Sequence, residues 1–290
     1  MLRNVKYSNP ETIADAVALL GEYGEDAVVI SGGQSLMPML RQRLADYELI
    51  VDINEIEDQD FVTVDGDDLR IGCLVRHADV ANSDTVAEHC EMLAEMAAEI
   101  GDTQVRNRGT LCGAIAHADP AGDPPVVAAA LDAEITSQGP DGEQTYDGST
   151  FFHGFYETAL GKNEIITEVS IPVVESPRGA AYQKYEPSAG AYPTATVAAV
   201  VELDGDVVTD ATLVTGAIEP GPTPMPDAES HLEGETLTEA LVTETAEQVG
   251  DGSDPMEDSD GSVEFKREIT KTLAKRALVT AIDRAGGNIE

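Results

Sequence analysis

The sequence predicts an α+β chain. A two-part α/β region covers residues 1–175, divided near residue 55, and a smaller C-terminal α+β domain with an antiparallel sheet and helices covers residues 176–290. Three observations carry this. The chain opens β-α-β. Two loops rich in Gly, Ser and Thr, at 31–36 and 108–123, each adjoin a segment of regular structure. Beyond Ser176-Pro177-Arg178-Gly179 the pattern changes to strand, tight turn and strand, followed by two helical stretches. A chain of 290 residues is long enough for about two cores.

Asn9-Pro10-Glu11-Thr12 leads into a helix whose apolar residues Ile13, Ala16, Val17 and Leu20 share one face, with Gly21 and Gly24 as its expected stop. Ala27–Ile30 is a short buried strand that runs straight into the first glycine loop. Pro38 stands where a helix can begin, and Leu49–Ile53 is a second buried strand. Val62, Val64, Leu69 and Ile71 bracket the turn Asp65-Gly66-Asp67-Asp68, a hairpin signal. Residues 86–100 have helical period, the second glycine loop follows, and Pro125–Leu131 reads as another apolar helix. Ala133–Thr136 with the turn Gly139-Pro140-Asp141-Gly142 suggests a second hairpin, and Glu164–Pro172 closes the region as a strand. In the C-terminal domain, Ala195–Leu203 and Val207–Val214 flank the tight turn Asp204-Gly205-Asp206. A breaker cluster at 219–224 precedes helices near 237–249 and 263–284, which flank an acidic connector expected to be a solvated loop.

Charge sets this composition apart. There are 55 Asp and Glu against 17 Lys and Arg, a net charge of −38. Such a surface repels nucleic acid, whose recognition needs a basic footprint, and it repels anionic lipid. Acidity spread along the whole chain resembles proteins of salt-loving organisms, where ionic strength screens self-repulsion. The cations are clustered: Arg41 and Arg43 follow the first glycine loop, Arg106 and Arg108 precede the second, and Lys266, Arg267, Lys271, Lys275 and Arg276 crowd one C-terminal segment. That segment reads either as a docking surface or as a helix paired with its own acidic neighbours.

Cys73, Cys90 and Cys112 are odd in number and lack C-x-x-C spacing, which argues against a disulfide framework, a zinc site or an iron–sulfur cluster. The first residues lack the apolar core of a signal peptide, and no apolar run is long enough to span a membrane. The chain is expected to be cytoplasmic and reduced.

The two loops carry the chemistry. Gly32 and Gly33 remove Cβ atoms, so that amide N–H groups can approach an anion, and they permit φ > 0; Ser31 and Ser35 add hydroxyls. The loop lacks G-x-G-x-x-G spacing and the G-K-[ST] of a P-loop, and a Gly-Gly pair by itself is more often a plain tight turn. In the second loop Thr110 offers a hydroxyl, Gly109 and Gly113 give close backbone approach, and Asp119 and Asp123 offer carboxylates suited to a ribose hydroxyl. His117 with Asp119 and Asp123 can also be read as a metal site, which the Pro-rich continuation disfavours. His77, His89, His153 and His231 are isolated and expected at the surface or in structural roles. Two such loops in one chain suggest a ligand with two phosphates, a dinucleotide.

Ser31-Gly32-Gly33-Gln34-Ser35-Leu36, followed by residues 37–44, resembles the first FAD motif of the medium, flavin-binding subunits of molybdenum hydroxylases of the carbon monoxide dehydrogenase and xanthine dehydrogenase type. Residues 101–110, running into Ala116-His117-Ala118-Asp119-Pro120-Ala121-Gly122-Asp123, are similar to the second motif. The resemblance covers nearly the whole chain. It implies a two-subdomain FAD-binding α/β fold with a C-terminal domain completing the flavin pocket. It places Ser31, Gly32, Gly33, Gln34 and Ser35 on the pyrophosphate, and Thr110, Gly113, Ala114 and Asp123 on the FAD. Ile165 and Ile166 would pack near the ring system, Lys184 would lie near the flavin, and Tyr192 would cover one ring face, its alternative being a core tyrosine. Cys112 stands where relatives usually have glycine, so that either its φ is ordinary or its thiol fills a small pocket near the cofactor. Pro187-Ser188-Ala189 and Ala191 replace charged residues.

The resemblance further implies an electron relay. A molybdopterin-containing large subunit oxidises substrate, and a small subunit passes electrons through [2Fe–2S] clusters to this chain. An external acceptor, NAD or a quinone, takes them. The chain itself offers no nucleophile or acid–base pair. Two rival readings are a self-sufficient FAD-dependent oxidase or dehydrogenase, and a scaffold that has lost FAD.

Overall fold

The computed structural model describes residues 4–289, so the reading made of Met1-Leu2-Arg3 lies outside it. Strand β1 (Lys6–Ser8), helix α1 (Ile13–Tyr23), strand β2 (Ala27–Ile30), helix α2 (Leu36–Gln42) and strand β3 (Leu49–Asp52) build a small α/β unit. Its sheet is parallel in the order β1-β3-β2. Thr12 caps α1 by accepting from the amide of Asp15, and Gly24, at φ 58°, ends it. Gly21 lies inside α1 instead of stopping it, since only Gly24 is placed where the chain must turn left-handed.

The second unit is antiparallel. Hairpin β4 (Val62–Asp65) and β5 (Asp68–Gly72) turns at Gly66, φ 64°. Hairpin β6 (Glu134–Gly139) and β7 (Gly142–Asp147) turns at Gly142, φ 109°. A short ribbon of β8 (Phe152–Gly154) and β9 (Glu157–Thr158) leads to β10 (Ile165–Pro172), which inserts between the hairpins in the order β4-β5-β10-β6-β7. Between the hairpins run α3 (His77–Asn82), α4 (Asp84–His89), α5 (Glu91–Glu99), α6 (Thr103–Arg106), α7 (Leu111–His117) and α8 (Asp123–Ala130), and α9 (Gly148–Phe151) follows β7. The single helix expected over 86–100 is two. The chain leaves helical geometry at Cys90, φ −158° and ψ 78°, where no Gly or Pro announces a break.

Strands β11 (Arg178–Tyr185), β12 (Ala195–Asp204), β13 (Val207–Gly216) and β14 (Thr223–Pro224) form the C-terminal antiparallel sheet in that order. Helices α10 (Pro226–Leu232), α11 (Glu239–Gly252) and α12 (Val263–Arg284) cover one face. Ala181, Val197, Ala199, Val201 and Leu213 share a core with those helices. Ala180, Tyr182, Ala198, Val200 and Val214, on the opposite face, join the core of the preceding unit. Burial on both faces explains the unbroken apolar run at 197–201. Helix α10 forms directly after the breaker cluster, with Pro226 in its first turn, where proline's missing N–H costs nothing.

The basic C-terminal segment resolves towards self-pairing. Lys266 is buried and bonds Asp258, Lys271 bridges Asp251 and Glu268, Lys275 bonds Thr243 and lies near Glu239, and Arg267 donates to the carbonyl of Ser253. The acidic connector is thus partly tied to α12.

Arg284 fastens the C-terminal sheet and α12 to α5. It donates to the carbonyl of Ala180 at 2.8 Å and meets Glu91 at 2.9 Å and Glu95 at 2.6 Å. Arg284→Met is expected to destabilise the fold by about 1–3 kcal/mol through loss of these charge-assisted contacts, the cost being limited because both glutamates are half exposed and re-hydrate when freed. A melt should fall by roughly 3–10 °C. An unchanged melting temperature would refute the clamp.

Candidate functional site

Both glycine loops border one cavity of about 330 Å³. Ser31, Gly32, Gly33, Gln34 and Ser35 line it from the β2–α2 connection, and Gly109, Thr110, Gly113, Ala114 and His117 from the opposite side. This volume lies at the lower end of small-molecule sites, roughly 300–1,000 Å³. The second loop is not a loop throughout. Thr110 caps α7 by accepting from the amide of Gly113 at 3.1 Å, and Leu111–His117 is helical.

Close contact between the two loops explains the glycines. A Cβ on Gly32 would sit 2.5 Å from the carbonyl oxygen of Arg108 and 2.6 Å from Cα of Gly109. A Cβ on Gly113 would meet Thr110 Oγ1 at 2.5 Å and Ser31 Oγ at 2.8 Å. Those two hydroxyls bond each other at 2.9 Å and tie the loops together. Positive φ is needed only at Gly33, φ 69°. The amides of Gly32, Gly33, Gln34 and Ser35 take no protein acceptor among the described residues. A row of unpaired N–H groups beside a cavity is an anion cradle.

A further layer fixes the first loop. Asn54, just beyond β3, donates to the carbonyl of Ser31 at 2.8 Å, and Arg76 donates to Asn54 at 2.5 Å and to the carbonyl of Arg108 at 2.6 Å. Arg76 therefore bridges the supports of both loops and brings a positive charge close to the cradle. His77 lies beside it, buried and lining the cavity, with Nδ1 unpartnered. Burial, reinforced by Arg106 and Arg76, lowers its pKa to about 4, so the imidazole is neutral at pH 7. Of the surface and structural roles expected for His77, burial sets aside the surface one. Asn54, Arg76 and His77 escape sequence reasoning because each meets the loops only through tertiary contact.

The remaining expected residues lie beyond the cavity lining. Asp123 begins α8, is 6 % exposed, and accepts from the Tyr182 hydroxyl at 2.5 Å; Lys184 Nζ stands 3.5 Å from the same oxygen. Burial pushes the Asp123 carboxyl above its ordinary range, opposed by Lys184 and Tyr182. Lys184 also donates to the carbonyl of Glu99 at 2.7 Å. Ile165 and Ile166 are buried in the core on β10, where a bulge follows Ile166. Tyr192 is 61 % exposed, which sets aside a core role. Cys112 keeps a negative φ within α7, and its thiol is buried against the carbonyl of Ile71 instead of lining the cavity. Burial raises its pKa well above the ordinary thiol range. No cluster of three or more His, Cys, Asp and Glu able to hold a metal occurs among the described residues, and Asp123 is already engaged by Tyr182 and Lys184.

A glycine-bearing cradle, unpaired amides and a nearby arginine fit the diphosphate of a dinucleotide such as FAD. Comparison with known proteins agrees. Residues 3–174 match the family model for the FAD binding domain in molybdopterin dehydrogenase, and residues 180–281 match that for the CO dehydrogenase flavoprotein C-terminal domain. The chain is similar to the carbon monoxide dehydrogenase medium chain of Hydrogenophaga pseudoflava, 34 % identical over 276 residues that cover 95 % of this chain and 96 % of that one. It is also similar to the glyceraldehyde dehydrogenase medium chain of Sulfolobus acidocaldarius, 33 % identical over 272 residues, 94 % and 96 % covered. Among solved structures, carbon monoxide dehydrogenase from Hydrogenophaga pseudoflava lacking the Mo-pyranopterin moiety superposes with a TM-score of 0.95 at 34 % identity, covering 98 % of this chain and 99 % of that one. The chain belongs to this flavoprotein family: it is an FAD-containing oxidoreductase subunit of the carbon monoxide dehydrogenase and xanthine dehydrogenase medium-subunit type.

Proposed function

We propose that this chain is the electron-transfer subunit of a molybdenum-containing hydroxylase or dehydrogenase complex. It receives electrons from [2Fe–2S] clusters of a small partner subunit, downstream of a molybdopterin-containing large subunit, and delivers them to an external acceptor, NAD or a quinone. FAD, when bound, supplies the two-electron storage that such a relay needs. The chain's own residues bind and orient. The amides of residues 32–35 with Ser31 and Thr110 hold the diphosphate, and Gly113 and Ala114 admit it closely. Asp123 accepts from a cofactor hydroxyl, Lys184 sets a positive charge beside it, Ile165 and Ile166 back the ring system, and Tyr192 covers one face. The observation that carries this reading is the convergence of two Cβ-poor loops on one cavity with unpaired amides.

The titratable groups lining the cavity are His77, held neutral by burial, with His117 and Tyr47. No described helix is long and apolar enough to cross a membrane. The acidic surface and the free, buried cysteines suit a reducing, salt-rich cytoplasm.

Absorption spectroscopy tests the reading. The chain purified in molar salt is expected to show flavin bands, released on denaturation as FAD. Co-expression with large and small subunits is expected to add iron–sulfur absorption. A protein that stays colourless after soaking in FAD, with partners present, would sink the proposal.

A further inference from the structure

Asp123 is held in an unusual way for a cofactor contact. It is the first residue of α8, preceded by Gly122 and followed by Pro124 and Pro125, so its backbone has little freedom. Its carboxylate is 6 % exposed, and a buried carboxylate must be hydrogen-bonded to persist as an anion. Both protein donors reach the same oxygen. The Tyr182 hydroxyl approaches Oδ1 at 2.5 Å and Lys184 Nζ lies 3.5 Å from it. Oδ2 receives no hydrogen bond from the described residues. Tyr182 and Lys184 are two apart on β11, so both side chains leave the same face of the sheet. Tyr182 is itself 4 % exposed within the core, paired in register with Ala198, which leaves its ring little freedom.

We propose that Tyr182 is a positioning residue of the cofactor site: together with Lys184 it occupies one oxygen of Asp123 and turns the other into a single, oriented acceptor for a cofactor hydroxyl. The inference rests on the reading of Asp123 as an FAD contact. It assigns to β11 a role that Lys184 alone does not fill, because an ammonium 3.5 Å away supplies charge without the direction of a short hydroxyl bond. The groups facing the carboxylate are Lys184 and Glu186 at the end of β11, Glu99 at the end of α5, and Tyr192 beyond. Substitution at Tyr182 leaves all of them in place.

The test is FAD affinity, by quenching of flavin fluorescence, across pH 5.5–8.5 for the unaltered chain, Tyr182→Phe, Asp123→Asn and the double variant. Tyr182→Phe keeps the ring and removes one hydrogen bond to a charged group. Roughly tenfold weaker binding is expected at neutral pH. The Tyr182 hydroxyl favours the ionised carboxylate, so its loss raises the Asp123 pKa, and the fall in affinity on the acid side is expected to begin at higher pH. Asp123→Asn is expected to abolish that acid limb, and adding Tyr182→Phe to it should cost little more. Weakening by one constant factor at every pH, or an equal loss in the Asp123→Asn background, would mark Tyr182 as mere packing and overturn the proposal. Tyr182→Met, which fills much of the same space without a hydroxyl, carries the same test should Tyr182→Phe not fold; an unmoved profile there also overturns it. FAD bound equally well by Tyr182→Phe defeats this inference alone, whereas no FAD bound by the unaltered chain defeats the cofactor reading beneath it.

Discussion

Replacing Gly32 by alanine is expected to weaken FAD binding by roughly ten- to a hundredfold, the equivalent of the 1–3 kcal/mol that overpacking costs in a filled space. The added methyl would fall 2.5 Å from the Arg108 carbonyl oxygen, 2.6 Å from Cα of Gly109 and 3.0 Å from the Thr110 amide nitrogen. All three are backbone atoms, so no side chain can swing aside. The loops must separate, and separation strains the Ser31–Thr110 bond and the Arg76 bridge to the Arg108 carbonyl. Gly32 has no positive φ, so the loss would be one of space between loops and not of local conformation. Gly21→Ala provides the control. It lies exposed within α1 with nothing within 4 Å of its Cβ, and is expected to leave FAD binding intact while adding about 0.5–1 kcal/mol of stability. The comparison is read by retained flavin absorbance after gel filtration and by melting temperature. Equal flavin retention in the two variants would show that the loops are not in functional contact.

That contact marks the line between what the sequence discloses and what it withholds. The hairpins at 62–72 and 134–147 were legible because strand alternation and turn chemistry act over a few residues, and Gly66 and Gly142 take the positive φ those turns require. The first loop was legible for the same reason: Gly-Gly between a strand and a helix is a local signal, although that strand, expected to be buried, is half-buried. In the second loop, Gly109 and Gly113 mask α7, because glycine lowers helix propensity while the Thr110 cap and burial of Leu111 and Ile115 decide the outcome. Tyr182 and Arg76 could not be read at all. Their partners are 59 and 22–32 residues away, and nothing in periodicity encodes a meeting at that distance. The apolar run at 197–201 carries a usable hint, since a strand lacking polar alternation must be covered on both faces, here by the C-terminal helices and by the preceding unit.

Lowering salt from molar KCl to about 0.05 M is expected to unfold the chain near ambient temperature, or to lower its melting temperature by more than about 10 °C, a shift that corresponds to several kcal/mol. The cause is the net charge of −38 on a compact body. For 290 residues the radius of gyration is roughly 19 Å folded and 60 Å unfolded, so folding crowds the charge. Screened Coulomb repulsion on the folded body comes to a few tens of kcal/mol at 0.1 M, and falls about two- to threefold at 1 M as the Debye length drops from about 10 Å to 3 Å. Even with the unfolded chain's own repulsion subtracted, the change rivals a whole folding free energy of roughly 5–15 kcal/mol. Internal pairing offsets little of it. Lys6–Glu48 and Lys271–Glu268 are surface pairs, and no Lys or Arg lies between Tyr185 and Phe265 to answer the carboxylates there. Bound FAD at a hundred times its Kd restores only about 2.7 kcal/mol, so cofactor cannot substitute for salt. Circular-dichroism melts in 0.05–2 M KCl, with sucrose as an osmotic control, measure the effect. A melting temperature that stays level with KCl, or that sucrose raises as much, would show that screening does not hold this fold together.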